Sequence, residues 1–146
     1  SRGLGDVYKR QEQGAVVDLG RVKAFLESSL GQRVLASPEV EKERRFTAVI
    51  PASLAEPDLG DTGEEVILQG AVDCTFLEDG KLHIIDFKTD RVRSMEELWE
   101  RYETQLRLYG AAMEEVSGLP VGELILYSTW LNRSSACEMK KARIVH

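Results

Sequence analysis

The chain of 146 residues has no apolar run near the roughly 18–20 residues that a bilayer-spanning helix needs, which excludes an integral helical membrane protein. No charged-then-apolar stretch resembles a secretory signal. Cysteine is scarce. Cys74 and Cys137 are too few for a disulfide scaffold, a four-cysteine zinc site or an iron–sulfur cluster, so a reducing compartment, the cytoplasm, is the expectation. Positive charge is also short, with 19 Lys and Arg against 25 Asp and Glu and a net charge of −6. A domain that grips nucleic acid by a general basic surface needs many lysines and arginines facing phosphates, and that class is excluded. An enzyme of nucleic acids whose carboxylates hold a metal is not. Methionine is absent before Met95, so a fragment or an excised domain is expected. Residues 1–11 have neither helical nor strand period and read as a non-native leader, which leaves 12–146 as one domain lacking an upstream part. Within it, 42% apolar and 30% charged residues suit one ordinary core and argue against a disordered chain.

Val16, Leu19, Val22, Phe25, Leu26 and Leu30 recur at helical spacing, with Asp18 as a cap and Gly31 as a left-handed stop. Residues 43–50 read as a strand stopped by Pro51, and Pro, Ser, Asp and Gly crowd 51–63 into a loop. Two β-rich runs, 66–77 and 81–88, flank Glu78-Asp79-Gly80-Lys81. Asp-Gly between such runs is a strong hairpin signal, because a type I′ turn needs positive φ at both central residues. Ser94-Met95-Glu96-Glu97 has capping-box spacing. A helix follows through Leu98, Tyr102, Gln105, Leu106, Tyr109, Met113 and Val116, and Gly118 with Pro120 ends it. Residues 123–131 give a further strand, and 132–146 hold at most one short edge strand. The predicted fold class is α/β, an α-β-β-β-α-β mixed sheet flanked by helices.

The hairpin fixes a register. With Asp79-Gly80 as the turn, antiparallel partners have numbers summing to 159, so Asp73 stands opposite Asp86 and Ala71 opposite Lys88. Directly opposed Cβ atoms lie roughly 4.5–5.5 Å apart. Period-two alternation then puts Asp73, Asp86 and Lys88 on one face. Two facing carboxylates destabilise a half-buried hairpin unless compensated by a divalent cation, a shared proton, or a salt bridge from Lys88. A hairpin whose Asp and Lys side chains are merely solvated is the plain alternative.

Gly70-Ala71-Val72-Asp73, then Ile84-Ile85-Asp86-Phe87-Lys88-Thr89-Asp90, then Gln105-Leu106-Arg107-Leu108-Tyr109 together resemble the PD-(D/E)XK nuclease superfamily. Within it they are similar to the nuclease domains of RecB-type helicase–nucleases, in particular the AddA branch. The likeness runs over roughly 18–131. It implies the restriction-endonuclease-like core and a DNA nuclease acting on single strands during double-strand-break end processing and recombinational repair. By position, Asp73 and Asp86 would be the ligands of Mg²⁺, for which Mn²⁺ can substitute, and Lys88 the catalytic lysine. Gln105 and Tyr109, on one helical face, would position DNA or the lysine; without the resemblance they are polar tips at a core edge. Glu43 sits where the family has an acidic residue entering the first strand and would hold water beside the metal; otherwise it is a solvated glutamate. The resemblance also implies partners: DNA, an AddB-type protein, and a helicase region upstream in the same polypeptide. The alternative is a catalytically inactive binding or scaffolding domain of the same fold.

The pattern is incomplete in one respect. The subgroup carries a metal-contacting histidine on an upstream helix, and only His83 and His146 are present here. His83 has the wrong strand parity for the metal face and reads as structural or exposed; His146 is uninformative. Cys74 reads as a small core residue facing away from Asp73. Arg91, Arg93, Arg101 and Arg107 gather around the site, the last two more simply as a solvated helix face, and Lys140, Lys141 and Arg143 form a short basic tail. Trp99 and Trp130 are expected in the core rather than stacked on bases.

Overall fold

The structure, a computed structural model, describes residues 19–139 except Pro57 and Leu59. The leader, Val16, Asp18, Lys140, Lys141, Arg143 and His146 lie outside the described residues. Two helices come first, α1 (Leu19–Glu27) and α2 (Ser29–Ala36). One continuous helix was the expectation. The break falls at Ser28, whose backbone is extended and whose hydroxyl accepts the N–H of Gly31 at 3.0 Å, capping α2. The apolar stripe runs on across this kink because Phe25 and Leu30 still bury on one side. Gly31 is therefore no stop. It lies inside α2, where a Cβ would come within 2.1 Å of the Phe25 carbonyl oxygen.

Strand β1 (Val40–Pro51) starts earlier than expected, and a single helical turn, α3 (Ala52–Ala55), opens the Pro51 loop. The hairpin of β2 (Glu65–Glu78) and β3 (Lys81–Lys88) closes at Asp79 and Gly80, with φ of 53° and 75°, the two positive values a type I′ turn requires. Helix α4 (Met95–Ser117) is capped as its sequence suggests: the Ser94 hydroxyl accepts the Glu97 N–H, and Gly118 ends the helix in the left-handed region. Two further strands, β4 (Val121–Ser128) and β5 (Arg133–Glu138), complete the chain, β5 being the short edge strand. No helix among the described residues is long and apolar enough to cross a membrane.

The sheet runs β1-β2-β3-β4-β5, antiparallel throughout except for the parallel β3–β4 pair. Parallel neighbours need a crossover, and α4 supplies it. Its buried Leu98, Leu106 and Met113 pack on Phe46, Ile84 and Leu126 on one face of the sheet. On the other face, Phe25 and Leu30 pack on Phe76, Ile85 and Tyr127. This three-layer arrangement is the expected α/β core.

One irregularity positions the site. Val72 belongs to the α4 face, yet Cys74 and Phe76 belong to the α1–α2 face, so the alternation of β2 reverses at Asp73. Strand β1 reverses at the same level, between Val40 and Phe46, and Glu43 there has a positive φ of 49°. The β1–β2 ladder skips this one level, passing from Lys42–Cys74 to Arg44–Val72. The β2–β3 ladder holds the predicted sum of 159 over five pairs, from Glu78–Lys81 to Cys74–Ile85, and then stops. Beyond it β2 stays with β1, where Ala71 pairs with Arg45, and β3 stays with β4 as far as Lys88–Ser128.

Candidate active site

Asp73 and Asp86 sit just past the last β2–β3 rung, so the expectation that they form a ladder pair is corrected: they meet in the crotch of a fork. The cause is local. The Phe87 N–H donates to the Asp73 carboxylate at 2.8 Å, a bond that supplants a backbone rung. Strict period-two alternation, on which the shared face rested, fails at Asp73, and the carboxyls converge because the strands part. Asp73 and Asp86 lie within hydrogen-bonding reach of each other. The Lys88 ammonium is 3.1 Å from Asp86 Oδ2, and Lys88 and Asp86 are both about four-fifths covered.

Two of the three compensations open from the sequence are visible in this geometry. Lys88 pairs with Asp86, and Asp73 holds its proton far above the usual carboxylate range, up to about 7. Burial is the main cause, followed by the hydrogen bond and charge of Asp86; the Phe87 amide and Lys88 oppose the shift. A carboxyl so held is one that a divalent cation would discharge, and two carboxylates supply the hard oxygen donors that Mg²⁺ prefers. The residues therefore fit such an ion.

Glu43, Arg45, Gly70, Ala71 and Asp73 line an open cleft of about 380 Å³. Glu43 thus shares the hollow that Asp73 faces. Gln105 and Tyr109 meet as helical spacing requires, Gln105 Nε2 donating to the Tyr109 hydroxyl at 3.3 Å. The Tyr109 ring packs edge-on against Phe46, and a Cβ on Gly70 would fall 2.9 Å from its hydroxyl. Gly70 is small because a phenol ring rests on it. Through Gly70, the Gln105–Tyr109 pair abuts the cleft wall, whereas the aromatic side chain that touches Lys88 is another.

That side chain is Tyr102, whose ring centroid lies 3.9 Å from Lys88 Nζ. Its hydroxyl donates to Asp90 Oδ2 at 2.8 Å, and Arg101 reaches the same oxygen at 3.0 Å. Burial alone would raise the Asp90 carboxyl, but these two donors outweigh it and hold it below its ordinary range. In the sequence Tyr102 is only one position of an amphipathic stripe. The available signal is its place one helical turn before Gln105, on the same face.

His83 is buried and structural, pointing to the face opposite Asp86 as its parity requires. Its Nδ1 accepts the Glu123 N–H at 3.1 Å, and its ring stacks on Phe76. Glu78, His83 and Glu123 are close enough to hold an ion, but the Arg33 guanidinium already bridges both carboxylates at 2.6 Å each. Cys74 is buried as expected, its thiol pushed up to about 11 chiefly by burial. Trp99 packs on the core and donates to Ser135. Trp130 departs from expectation: it stands 44% exposed in the turn after β4, with the Arg21 and Arg91 guanidiniums over its ring. Arg101 and Arg107 are tied into ion pairs along α4, with Glu97 and Glu103.

Fold and site together define a class: the chain belongs to the PD-(D/E)XK nuclease superfamily, whose family model matches residues 6–141. Among its relatives, the AddA component of the ATP-dependent helicase/nuclease of Bacillus pumilus is 36% identical over 125 residues. The corresponding proteins of Acetivibrio thermocellus and Bacillus cereus are 38% identical over 127 and 126 residues. These matches cover 80%, 84% and 80% of this chain and 10% of each relative, so the chain spans about a tenth of their length.

Proposed function

We propose that this chain, over residues 12–146, is the Mg²⁺-dependent nuclease domain of an AddA-type helicase–nuclease and hydrolyses phosphodiester bonds of single-stranded DNA. The observation that carries this reading is the convergence of Asp73, Asp86 and Lys88 at the β2–β3 fork, beside an open cleft. Asp73 and Asp86 would hold the ion, with Mn²⁺ as a substitute. Such an ion, when bound, activates water and polarises a phosphoryl oxygen. The Lys88 ammonium sets positive charge where negative charge develops on the phosphate. Glu43, across the cleft, orients water, and Gln105 and Tyr109 position the DNA strand. The net charge of −6 leaves general DNA grip to other partners. The candidates are an AddB-type protein and an upstream helicase region of the same polypeptide. End processing of double-strand breaks for recombinational repair in the cytoplasm is the matching role. Residues 1–11 are assigned as a leader outside the domain.

The test is a Mn²⁺ titration of the parent chain, Asp73→Ala and Asp86→Ala, followed by cleavage of a labelled single strand by the parent and Lys88→Ala. One saturable site per chain, lost in both aspartate variants, and cleavage lowered at least about a hundredfold in Lys88→Ala are expected. Absence of saturable binding, with cleavage equal in all four proteins, would favour the inactive binding or scaffolding domain instead.

A further inference from the structure

We propose that Tyr102 is a positioning residue for Lys88: its ring, pinned at the hydroxyl by Asp90, holds the ammonium in the place it takes beside Asp86. This rests on the nuclease reading for its purpose but not for its geometry. A lysine ends in a compact charge on a flexible four-carbon stem, and it keeps one position only if something fixes the head. Asp86 at 3.1 Å supplies one restraint. Were a cation to occupy the two carboxylates, that restraint would be shared with it, and a second one that is not a metal ligand gains importance. The Tyr102 ring, 3.9 Å from Nζ, is such a restraint, because an aromatic face attracts an ammonium without competing for metal.

The ring is itself held. Its hydroxyl donates to Asp90 at 2.8 Å, and Arg101 holds Asp90 at 3.0 Å while pairing with Glu97 at 2.8 Å. The hydrogen bond to Asp90 keeps the Tyr102 phenol protonated to higher pH than usual, with burial adding to it, so the donor persists. Asp90 follows Lys88 by two residues at the end of β3, and Tyr102 comes from α4, so the chain of contacts ties the lysine to the crossover helix.

The experiment compares the parent with Tyr102→Phe, Tyr102→Leu and Asp90→Ala. The first readout is the proton chemical shift of the Lys88 ε-methylene group, assigned by its loss in Lys88→Ala. A methylene over an aromatic face is displaced upfield from those of exposed lysines. The displacement is expected in the parent and Tyr102→Phe, reduced in Asp90→Ala and abolished in Tyr102→Leu. The second readout is single-strand cleavage with Mg²⁺. Tyr102→Leu is expected to lower kcat about tenfold with KM changed less than about twofold, and Tyr102→Phe to stay within about threefold of the parent. A merely structural tyrosine would move the melting temperature without that split. A Lys88 shift identical in the parent and Tyr102→Leu would overturn the proposal, as would full kcat in Tyr102→Leu when Lys88→Ala is dead. Should Tyr102→Leu fail to fold, Asp90→Ala decides, and an unreduced shift there overturns the pin. If the parent cuts no faster than Asp86→Ala, the nuclease reading falls, and the methylene shift alone decides whether Tyr102 places Lys88.

Discussion

Asp73 keeps its proton up to about 7 in the folded chain, against 3.8 for an ordinary aspartate, so the unfolded chain releases that proton first as pH rises. Between about pH 4 and pH 7 the native state holds the extra proton, and stability falls as pH climbs through this window. Above it the loss is complete; below it the term vanishes. Asp73→Asn removes the titration while its amide oxygen still accepts the Phe87 N–H. The variant is expected to be more stable than the parent by on the order of 2 kcal/mol at pH 8 and equal to it near pH 3.5. Urea unfolding at the two pH values checks this, and an equal gain at both would contradict it. At this scale the sequence was most readable where chemistry and spacing coincide: Asp73, Asp86 and Lys88 follow from a hairpin and a motif. Tyr102 was not readable as a partner of Lys88, because a ring over an ammonium joins residues on different elements and leaves no periodic trace. Trp130 was misjudged for a related reason. Its apolar bulk predicts burial, and only the fold reveals a turn with two arginines above the ring.

Elements were legible where a local device marks their ends. Asp79-Gly80 sets the hairpin, Ser94 opens α4 and Gly118 closes it, each by hydrogen bonds or backbone angles within a few residues. The break at Ser28 was hidden, because a kink need not interrupt an apolar stripe and Ser28-Ser29 resembles any polar pair. Gly31 separates the two interpretations by experiment. As a left-handed stop it would tolerate alanine at a cost of about 1 kcal/mol. Packed against the Phe25 carbonyl, Gly31→Ala must shift backbone, and a loss of about 3 kcal/mol is expected in thermal or urea unfolding. The same limit applies to Asp73. Period-two reasoning presumes an unbroken strand, and the reversal there depends on Glu43 across the ladder, a partner thirty residues away.

At the scale of the molecule, the order of the sheet and its two helical layers matched the α/β reading, because the crossover between parallel β3 and β4 leaves few arrangements open. The fork was beyond the sequence, being a property of three strands at once. It makes the sheet a book of two leaves. The rungs from Cys74–Ile85 to Glu78–Lys81 are the spine, Glu43 and Asp73 stand on one leaf, and Asp86 and Lys88 on the other. The bond from the Phe87 amide to Asp73 is the latch between them. Hydrogen exchange at Phe87 reads that latch: it should accelerate by at least about tenfold in Asp73→Ala while the Ile85 amide, on the spine, keeps its protection. The distance between the two acids is then no fixed property of either residue but a function of the angle at which the leaves stand. Whatever lies between them, whether a nucleotide or a neighbouring domain, tunes the acid pair simply by how far it props the book open.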